Sequence, residues 1–232
     1  MQVGPPVDPL PSGRVPERRA VTGAYVRLEP VDVAAHGASL YALSHARPED
    51  AALWTYLFYG PFPDQGAFER WLDGCARSSD PLFFAVIEEQ SGRASGMTSY
   101  LNIVPANGSI EIGHIWFVPP LQKTRGATEA IYLMCRYVFD DLGYRRLEWK
   151  CDALNEASRR AAVRFGFTYE GTFRQHMVVK GRNRDTTWYA MLDREWPAVR
   201  AAFERWLAPA NFDAAGRQRT SLGALMADRP SP

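Results

Sequence analysis

Apolar and polar positions alternate in blocks along residues 24–207, and these blocks predict strands and helices in turn. Residues 24–29 alternate with the two-residue period of a half-buried strand, and residues 82–88 form a continuous apolar run typical of a buried strand. After Asp64 the apolar side chains repeat with helical spacing, which predicts a helix with one buried face. The buried positions of this helix are Phe68, Trp71, Leu72 and Cys75.

The whole pattern predicts seven strands and five helices. The strands cover residues 24–29, 82–88, 96–104, 110–118, 146–151, 167–179 and 185–192. The helices follow Asp32 and Asp64 as N-caps or cover residues 128–142, 155–165 and 196–207. Short turns make the second, third and fourth strands antiparallel, whereas a helix joins the fourth strand to the fifth. The predicted class is therefore α+β, a mixed α/β sheet with one β-α-β crossover.

Both ends of the chain differ from this pattern. Residues 1–20 are rich in proline and poor in apolar side chains, which predicts a flexible leader. Residues 21–208 are predicted to form a single domain. Residues 209–232 are predicted to form a partly ordered tail, in which one short helix could dock through Leu222, Leu225 and Met226.

Composition narrows the functional classes. The chain has 232 residues, of which 46% are hydrophobic, so it can bury a large core. Its net charge of +1 gives no general attraction to nucleic acid or to an anionic membrane, and we expect neither as a partner. There is no apolar core of a signal peptide, and the three cysteines lack zinc-site spacing. We therefore expect a cytoplasmic protein without a metal.

Candidate chemistry lies in residues 110–130. A strand ends at Val118, two prolines disturb its edge, and a helix opens between Thr124 and Thr128. Such a strand–turn–helix directs backbone N–H groups and the positive end of a helix dipole at one spot, which suits a pyrophosphate. An ordinary β-α turn has the same pattern, so these residues alone leave both interpretations open.

Several short motifs match one family in register. Gln122 to Ala127 match the loop pattern Gln/Arg-x-x-Gly-x-Gly/Ala, and Thr128-Glu129-Ala130 follow. Further matches are Asn155-x-x-Ser158, Gly166-Phe167-x-x-Glu170-Gly171-x-x-Arg174, Asp185, Tyr189 and Met191-Leu192. From about Tyr25 to Glu195, the sequence resembles the GNAT acyl-CoA N-acyltransferase superfamily. Within it, the resemblance is to the RimJ/RimL branch of ribosomal-protein N-terminal acetyltransferases.

The resemblance implies a fold and a reaction. The fold would have three layers, with a mostly antiparallel sheet splayed between its fourth and fifth strands and helices on both faces. The reaction would move an acetyl group from acetyl-CoA directly to a primary amine in a ternary complex. The amine could belong to a protein N-terminus or to a small molecule.

The resemblance also assigns roles to residues of this chain. The pyrophosphate would be held by backbone amides of Gln122, Lys123, Thr124, Arg125, Gly126 and Ala127. The pantetheine arm would align along the strand end formed by Trp116, Phe117 and Val118, one of whose N–H groups could polarise the thioester carbonyl. Asn155 would bond the pantetheine amides and cap its helix. Ser158 would return a proton to the sulfur, unless it is only a hydroxyl on the helix face.

Two positions depart from the family pattern. Arg125 stands where the loop usually has its first glycine. A positive φ there would cost an arginine about 1 kcal/mol. A close approach to phosphate would be blocked by Cβ, although the guanidinium could itself bond the phosphate. Ala162 occupies the position of a tyrosine that serves as the acid in many other members.

The candidate base is Glu111, on the fourth predicted strand. Alternation places it on the face of Gly113, Ile115 and Phe117, opposite His114. A terminal amine with a pKa near 8 needs only about 1 kcal/mol for deprotonation at pH 7, so a weak base suffices. Glu111 could instead be a carboxylate paired with an arginine at the cleft. His114 is an alternative base or a satisfied core residue.

Two further groups of side chains lie near the expected acceptor site. Aromatic residues follow the first helix and form either an acceptor rim or a packed loop: Trp54, Tyr56, Phe58, Tyr59 and Phe62. The final hairpin carries basic residues that are expected to be a solvated face: Arg174, Lys180, Arg182 and Arg184. This hairpin and the C-terminal tail also offer surfaces for a homodimer.

Other functional classes remain open. A catalytically inactive protein that binds an acyl-CoA as a sensor or interaction module would share the fold, and Arg125 and Ala162 are the residues that favour it. A nucleotide-binding domain is disfavoured, because Gly126 alone completes neither glycine-rich phosphate motif. Release of coenzyme A in the presence of an amine distinguishes the enzyme from the sensor.

Overall fold

A computed structural model describes residues 3–228, and within this range one mixed sheet has eight strands. They are β1 (Val21–Thr22), β2 (Val26–Pro30), β3 (Leu82–Glu88), β4 (Ala94–Val104), β5 (Ser109–Phe117), β6 (Arg146–Asp152), β7 (Thr168–Val179) and β8 (Arg182–Leu192). The strand order is β1-β2-β3-β4-β5-β6-β8-β7, and β5 and β6 pair in parallel whereas the other neighbours are antiparallel. The predicted mixed α/β class and mostly antiparallel sheet are confirmed.

Six α-helices accompany the sheet in the described range. They are α1 (Val33–Ser44), α2 (Gln65–Arg77), α3 (Arg125–Arg136), α4 (Glu156–Arg164), α5 (Trp196–Leu207) and α6 (Leu222–Ala227). The predicted caps of α1 and α2 are confirmed, because Asp32 accepts the Ala35 N–H at 2.8 Å and Asp64 accepts the Ala67 N–H at 2.7 Å. The predicted short helix in the C-terminal tail is α6, and its apolar side chains are buried.

The helices occupy both faces of the sheet. On one face, the Tyr100 hydroxyl of β4 donates to the Met134 carbonyl of α3 at 2.8 Å. On the other face, Trp54 lies between the ring of Phe68 in α2 and the ring of Trp116 in β5. The three-layer arrangement is therefore confirmed, with the connection between α1 and α2 packed into one of the outer layers.

Helix α3 begins within the predicted range and differs from its prediction at the other end. It begins at Arg125, between Thr124 and Thr128, because the side chain of Thr124 accepts the Ala127 N–H and caps the helix. It gives way after Arg136 to a π-helical turn over Tyr137–Asp141. Because α3 begins at Arg125, its N-terminus lies near the end of β5 at Phe117.

Glu129 ties α3 to the first hairpin of the sheet. Its buried carboxylate accepts the backbone N–H groups of Ala24, Tyr25 and Val26, at 2.8, 2.6 and 2.8 Å. Gly23 lies against the same carboxylate, and a Cβ at this position would fall 2.4 Å from Cδ of Glu129. This single side chain therefore satisfies three donors of the turn between β1 and β2.

The three cysteines are unpaired and buried in different parts of the fold. Burial raises the pKa of the Cys75 thiol to about 12, and it also raises the pKa of Cys135 and of Cys151. All three side chains are thus protonated thiols that serve packing.

Residues near the N-terminus contact the segment that follows α3. Tyr144 donates its hydroxyl to the Arg14 carbonyl at 2.6 Å, and the Glu17 N–H donates to the hydroxyl of Tyr137 at 3.0 Å. The division into a leader, a domain from residue 21 to 208 and a tail stays a prediction, and its outermost residues 1–2 and 229–232 lie outside the described part. Between residues 3 and 228 no helix is both long and apolar enough to cross a membrane.

Candidate functional site

A cleft opens where β5 and β6 separate. The two strands pair from Ser109 opposite Arg146 to Ile112 opposite Trp149, and beyond this point they diverge. The resulting cleft has a volume of about 1480 Å³ and reaches from the start of α3 to the β7–β8 hairpin. Of the twelve predicted site residues, ten line it: Glu111, Trp116, Phe117, Gln122, Lys123, Thr124, Arg125, Ala127, Asn155 and Ser158.

Val118 and Gly126 lie behind the wall of the cleft. The Val118 N–H donates to the Ser95 carbonyl at 2.9 Å, so this donor is already used. A Cβ at Gly126 would fall 2.9 Å from Cγ1 of Val26 and 3.2 Å from Cδ1 of Leu121. The absence of a side chain at Gly126 therefore allows α3 to pack closely on the sheet. The backbone N–H of Gly126 faces the loop.

Among the described residues, the loop before α3 and the first turn of the helix leave three backbone N–H groups without a hydrogen bond, those of Lys123, Arg125 and Gly126. Lys123 adopts a φ of 61°, and the Thr124 hydroxyl donates to the Leu121 carbonyl at 2.7 Å. Within the described residues, the N–H groups of Arg125 and Gly126 form no hydrogen bond, as expected for the first turn of a helix. These donors and the positive end of the α3 dipole form a site for an anion at the cleft.

Arg125 does not take the strained conformation that a glycine position would suggest. The positive φ falls on Lys123, and Arg125 is the first helical residue. Its guanidinium lies 3.6 Å from the ring centre of Phe212 and donates to the Tyr25 hydroxyl at 3.2 Å. The side chain is thus held at the cleft, where its charge adds to the free N–H groups.

The C-terminal segment completes this end of the cleft. Trp206, Phe212, Gly216 and Gln218 belong to the lining, and the Trp206 indole N–H donates to Gln218 at 2.8 Å. Arg164 of α4 lies 5.1 Å from the Trp206 ring centre. Aromatic and cationic groups therefore surround the anion site on its outer side.

The start of α4 supplies two of the predicted residues. Asn155 caps the helix through its side-chain oxygen, which accepts the Ser158 N–H at 3.1 Å. The Ser158 hydroxyl accepts the indole N–H of Trp149 at 2.9 Å. Because the indole donates to this oxygen, the hydroxyl proton of Ser158 is free to point into the cleft.

Glu111 is a buried carboxylate with two partners. Its Oε2 lies 2.9 Å from Nζ of Lys150 and accepts the side-chain amide of Asn102 at 2.7 Å. Burial raises the pKa of Glu111, and the Lys150 ammonium opposes this shift. The predicted alternative of an arginine partner is wrong, because the partner is a lysine that also contacts Glu148 at 2.9 Å.

A β-bulge at His114 overturns the predicted faces of β5. His114 has a φ of 51°, and two residues of β5, His114 and Ile115, oppose Thr98 alone between the Met97–Trp116 and Ser99–Gly113 pairs. The alternation of faces therefore breaks after Gly113, and the expectation that His114 faces away from Glu111 is wrong. Beyond the bulge, Trp116 lies in the layer of Trp54, with ring centres 5.2 Å apart.

His114 faces the aromatic loop. Its ring stacks on Tyr59 with centres 5.6 Å apart and lies 5.0 Å from the ring centre of Phe83. Burial and the nearby charge of Arg184 lower the pKa of His114 to about 4. The imidazole is therefore neutral near pH 7, held by its neighbours in the manner of a satisfied core residue.

The aromatic loop is partly packed and partly exposed to the cleft. Trp54 is fully buried, whereas Phe58 is exposed and lines the cleft. The Tyr56 hydroxyl donates to the Leu154 carbonyl across the cleft at 3.1 Å. Lys180 from the final hairpin donates to the Trp54 carbonyl at 2.8 Å. The interpretation as a packed loop therefore applies to Trp54, and the interpretation as an exposed aromatic rim applies to Phe58.

One member of the basic hairpin is not part of a solvated face. Arg184 is buried at the cleft, so the prediction is wrong for this residue. Lys180 is exposed, as predicted, and its ammonium donates to loop carbonyls. Sequence analysis also missed Lys150 as the partner of Glu111. The signal that could have found it is the alternation of β6, which places Lys150 on the same polar face as Glu148, beside the strand that carries Glu111.

In the described range, no group of three or more His, Cys, Asp or Glu side chains is arranged to hold a metal ion.

Comparison with known proteins gives a consistent picture. Residues 26–168 match the family model described as "Acetyltransferase (GNAT) domain". A crystal structure of a GCN5-related N-acetyltransferase from Brucella melitensis is 50% identical, with a TM-score of 0.92 over 95% of this chain and 99% of that chain. A GNAT-family structure from Chromobacterium violaceum is 45% identical, with a TM-score of 0.79 over 85% of this chain and 98% of that chain.

Among curated proteins, the chain is 32% identical to the Bacillus subtilis protein named "Putative ribosomal N-acetyltransferase YdaF". That alignment covers 45% of this chain and 57% of the relative, so the chain spans little more than half the length of this curated relative. The fold is also similar to that of RimL, a ribosomal L7/L12 alpha-N-protein acetyltransferase, at 23% identity and a TM-score of 0.62, covering 73% of this chain and 91% of that chain.

Proposed function

The chain belongs to the GNAT acetyltransferase domain family, and from this membership we propose that it transfers an acetyl group from acetyl-CoA to a primary amine within a ternary complex. The observation that carries the proposal is the strand gap between β5 and β6, which ends at the free N–H groups of Arg125 and Gly126. The resemblance to YdaF is consistent with the RimJ/RimL-like branch.

The cleft fits acetyl-CoA by its donors and its shape. A pyrophosphate needs several N–H groups or cations, and the start of α3 offers free amides with the Arg125 guanidinium beside them. A pantetheine arm needs a narrow channel with amide partners, and the diverging strands together with Asn155 provide one. The aromatic rings of the C-terminal segment suit the nucleotide end.

When bound, acetyl-CoA supplies an acetyl thioester whose carbonyl carbon is open to attack by an amine. The backbone at Trp116 and Phe117 lies beside the gap and is proposed to orient the thioester and polarise its carbonyl. Val118 is left out of this role, because its N–H is bonded to Ser95. Ser158, with its oxygen fixed by Trp149, is proposed to give a proton to the sulfur.

Glu111 is proposed to take a proton from the acceptor ammonium, which leaves a neutral amine whose lone pair attacks the thioester carbonyl. Because burial raises the pKa of Glu111, this pKa lies closer to the pKa of the amine, which eases proton transfer. Lys150 and Asn102 fix its Oε2, so Oε1 is the oxygen available to the amine. The same ion pair is the observation that favours the second candidate, a protein that binds acyl-CoA without turnover, since a paired carboxylate is a weaker base.

We propose a cytoplasmic setting because three unpaired cysteines suit a reducing compartment and acetyl-CoA is an intracellular metabolite. A homodimer formed through the final hairpin or the tail stays a prediction. The amine is proposed to come from a protein N-terminus or from a small molecule.

Acetyl-CoA is expected to stabilise the protein in a saturable manner. At 100 times its dissociation constant, a ligand adds about 2.7 kcal/mol to the free energy of unfolding. Thermal unfolding with acetyl-CoA, desulfo-CoA and ATP measures this, and the two coenzyme A compounds should shift the transition where ATP does not. Release of coenzyme A would then be followed with a panel of amines. An unchanged transition at millimolar acetyl-CoA would contradict the proposed function.

Replacing Glu111 by glutamine is expected to lower kcat/KM for the amine by about 100-fold, the lower end of general-base effects. The amide keeps the size of the side chain but accepts no proton. The matched control is Glu148→Gln, since Glu148 also contacts Lys150 at 2.9 Å yet does not line the cleft. Equal losses of kcat/KM in both variants would show that activity depends on the ion pairs of Lys150 rather than on Glu111 as a base. Acetyl-CoA binding without turnover in the unmodified protein would support the sensor.

A further inference from the structure

Arg184 places a buried positive charge at the acceptor side of the cleft. The residue belongs to β8, is 8% exposed and lines the cleft. Its guanidinium carbon lies 4.9 Å from the ring centre of Phe58. Its Nε donates to the Thr186 hydroxyl at 3.3 Å, which is a long hydrogen bond.

This charge lacks an anion within the described part of the chain. Glu111 and Asp152 act on Arg184 from a distance, but no carboxylate forms an ion pair with it, and burial lowers its pKa. Its two terminal nitrogens make no hydrogen bond with described residues and are not among the fully enclosed unsatisfied atoms, so they remain open to the cleft. The neighbouring cation of the cleft, Lys150, is by contrast paired with two carboxylates.

A buried guanidinium without a partner is costly, because a charge loses its hydration and gains little in return. Phe58 offers the face of its ring but no charge, and His114 is neutral near pH 7. Two parallel N–H groups of an arginine match the two oxygens of a carboxylate. The arrangement is that of a binding site whose anion arrives with a ligand.

The place of Arg184 indicates which ligand this is. The phosphate site at Arg125 and the C-terminal segment lies at the opposite end of the cleft, at the start of α3. Arg184 instead lies beside the aromatic loop and on the side of Glu111, whose charge it senses. An anion bound here would therefore belong to the amine acceptor rather than to the nucleotide.

We propose that Arg184 binds a carboxylate of the acceptor, so that the substrates are primary amines that also carry a carboxylate. This inference rests on the proposed acetyl transfer and names its substrate class. Such a carboxylate occurs in a free α-amino acid and in a peptide with an acidic residue at its N-terminus. The two sources share the chemistry that Arg184 recognises.

The test compares amines that differ only in this group. One arm uses L-phenylalanine and L-phenylalaninamide, and the other uses tetrapeptide amides beginning with Asp or with Asn. The unmodified protein is expected to prefer the carboxylate member of at least one pair by tenfold or more in kcat/KM. Arg184→Met keeps the apolar stem of the side chain and should abolish this preference, measured as the ratio of kcat/KM within each pair. The matched control is Arg182→Met, because Arg182 is an exposed residue of the same strand.

A second readout needs no turnover. Thermal unfolding with N-acetyl-L-phenylalanine and with its amide, or with the acetylated Asp and Asn peptides, should show stabilisation by the carboxylate form that is lost in Arg184→Met. Acetyl-CoA should shift both proteins equally, and a loss of this shift in the variant would overturn the inference by assigning Arg184 to the coenzyme.

The remaining outcomes separate the inference from the proposed function. Equal rates within both pairs, or a preference that survives Arg184→Met, would overturn the inference and leave acetyl transfer in place. Binding of acetyl-CoA with no transfer to any of the four amines would also overturn it. Failure of the unmodified protein to bind acetyl-CoA would instead overturn the proposed function.

Discussion

Replacing Glu129 by alanine is expected to lower the free energy of unfolding by about 3 kcal/mol, at roughly 1 kcal/mol for each backbone N–H that loses its acceptor. The loss arises because three backbone N–H groups, of Ala24, Tyr25 and Val26, would be left without their acceptor at the first hairpin. Equilibrium unfolding in urea measures the change. As a control, Glu156→Ala removes an exposed glutamate of α4 and should cost less than about 1 kcal/mol.

The contact with Gly23 provides an independent check on the same carboxylate. Gly23→Ala should destabilise the protein, since its Cβ would clash with Glu129 at 2.4 Å. The double variant should cost less than the sum of the single variants, because removing the carboxylate relieves the clash. Strict additivity, or a cost of Glu129→Ala below about 1 kcal/mol, would contradict the role assigned to this side chain.

The second large effect is a loss of stability in mild acid that depends on His114. Its pKa is about 4 in the folded protein, against 6.5 for an ordinary histidine. Below pH 6.5 the unfolded chain takes up a proton that the folded protein refuses, so stability rises with pH between about 4 and 6.5. The whole shift corresponds to about 3 kcal/mol. The groups that face the ring are Tyr59, Phe83 and the cation Arg184.

Urea unfolding at pH 7 and at pH 5 tests this, with His114→Asn as the variant. Asparagine is chosen because it tolerates the left-handed φ of 51° better than most residues. Between these two pH values the unmodified protein should lose about 2 kcal/mol more than the variant. The other histidines are common to both proteins, so their titration cancels in the comparison. Parallel losses would show that His114 is protonated as easily in the folded state as in the unfolded chain.

Much of the fold followed from local patterns. The caps Asp32 and Asp64, the buried run of β3 and the crossover into β6 are each specified by neighbouring residues, and the structure has them where they were predicted. The start of α3 was predicted only as a range from Thr124 to Thr128, because the polar sequence before Thr128 carries no helical periodicity. Its cap, Thr124, acts through a hydroxyl contact that many threonines could make.

The sequence predicted which segments line the candidate site but not which side chains pair there. The loop from Gln122 to Ala127 and the start of α4 reach the same cleft because chain order alone puts them at the ends of neighbouring strands. The bulge at His114 has no counterpart in the alternation of polar and apolar residues, and a one-residue slip exchanges the two faces of a strand. The predicted face of His114 was wrong for that reason.

Long-range pairing explains the other omissions. Lys150 of β6 forms an ion pair with Glu111 of the parallel neighbour β5, 39 positions earlier in the chain. Arg184 of β8 contacts Phe58 of the aromatic loop, which also lies far from it in sequence. Contacts at such separations depend on topology rather than on local spacing. Arg125 illustrates the same point, since Phe212 holds its guanidinium from a tail that sequence analysis treated as peripheral.

The burial of Cys75, Cys135 and Cys151 has a practical consequence for watching the reaction. Each acetyl transfer would liberate one coenzyme A sulfhydryl, and disulfide reagents react with the thiolate form of accessible sulfur. The enzyme's own sulfhydryls are protonated and shielded while the protein is folded. A chromogenic disulfide present throughout would therefore record product with little background, and a slow additional release of three equivalents per chain would report that the enzyme itself had unfolded.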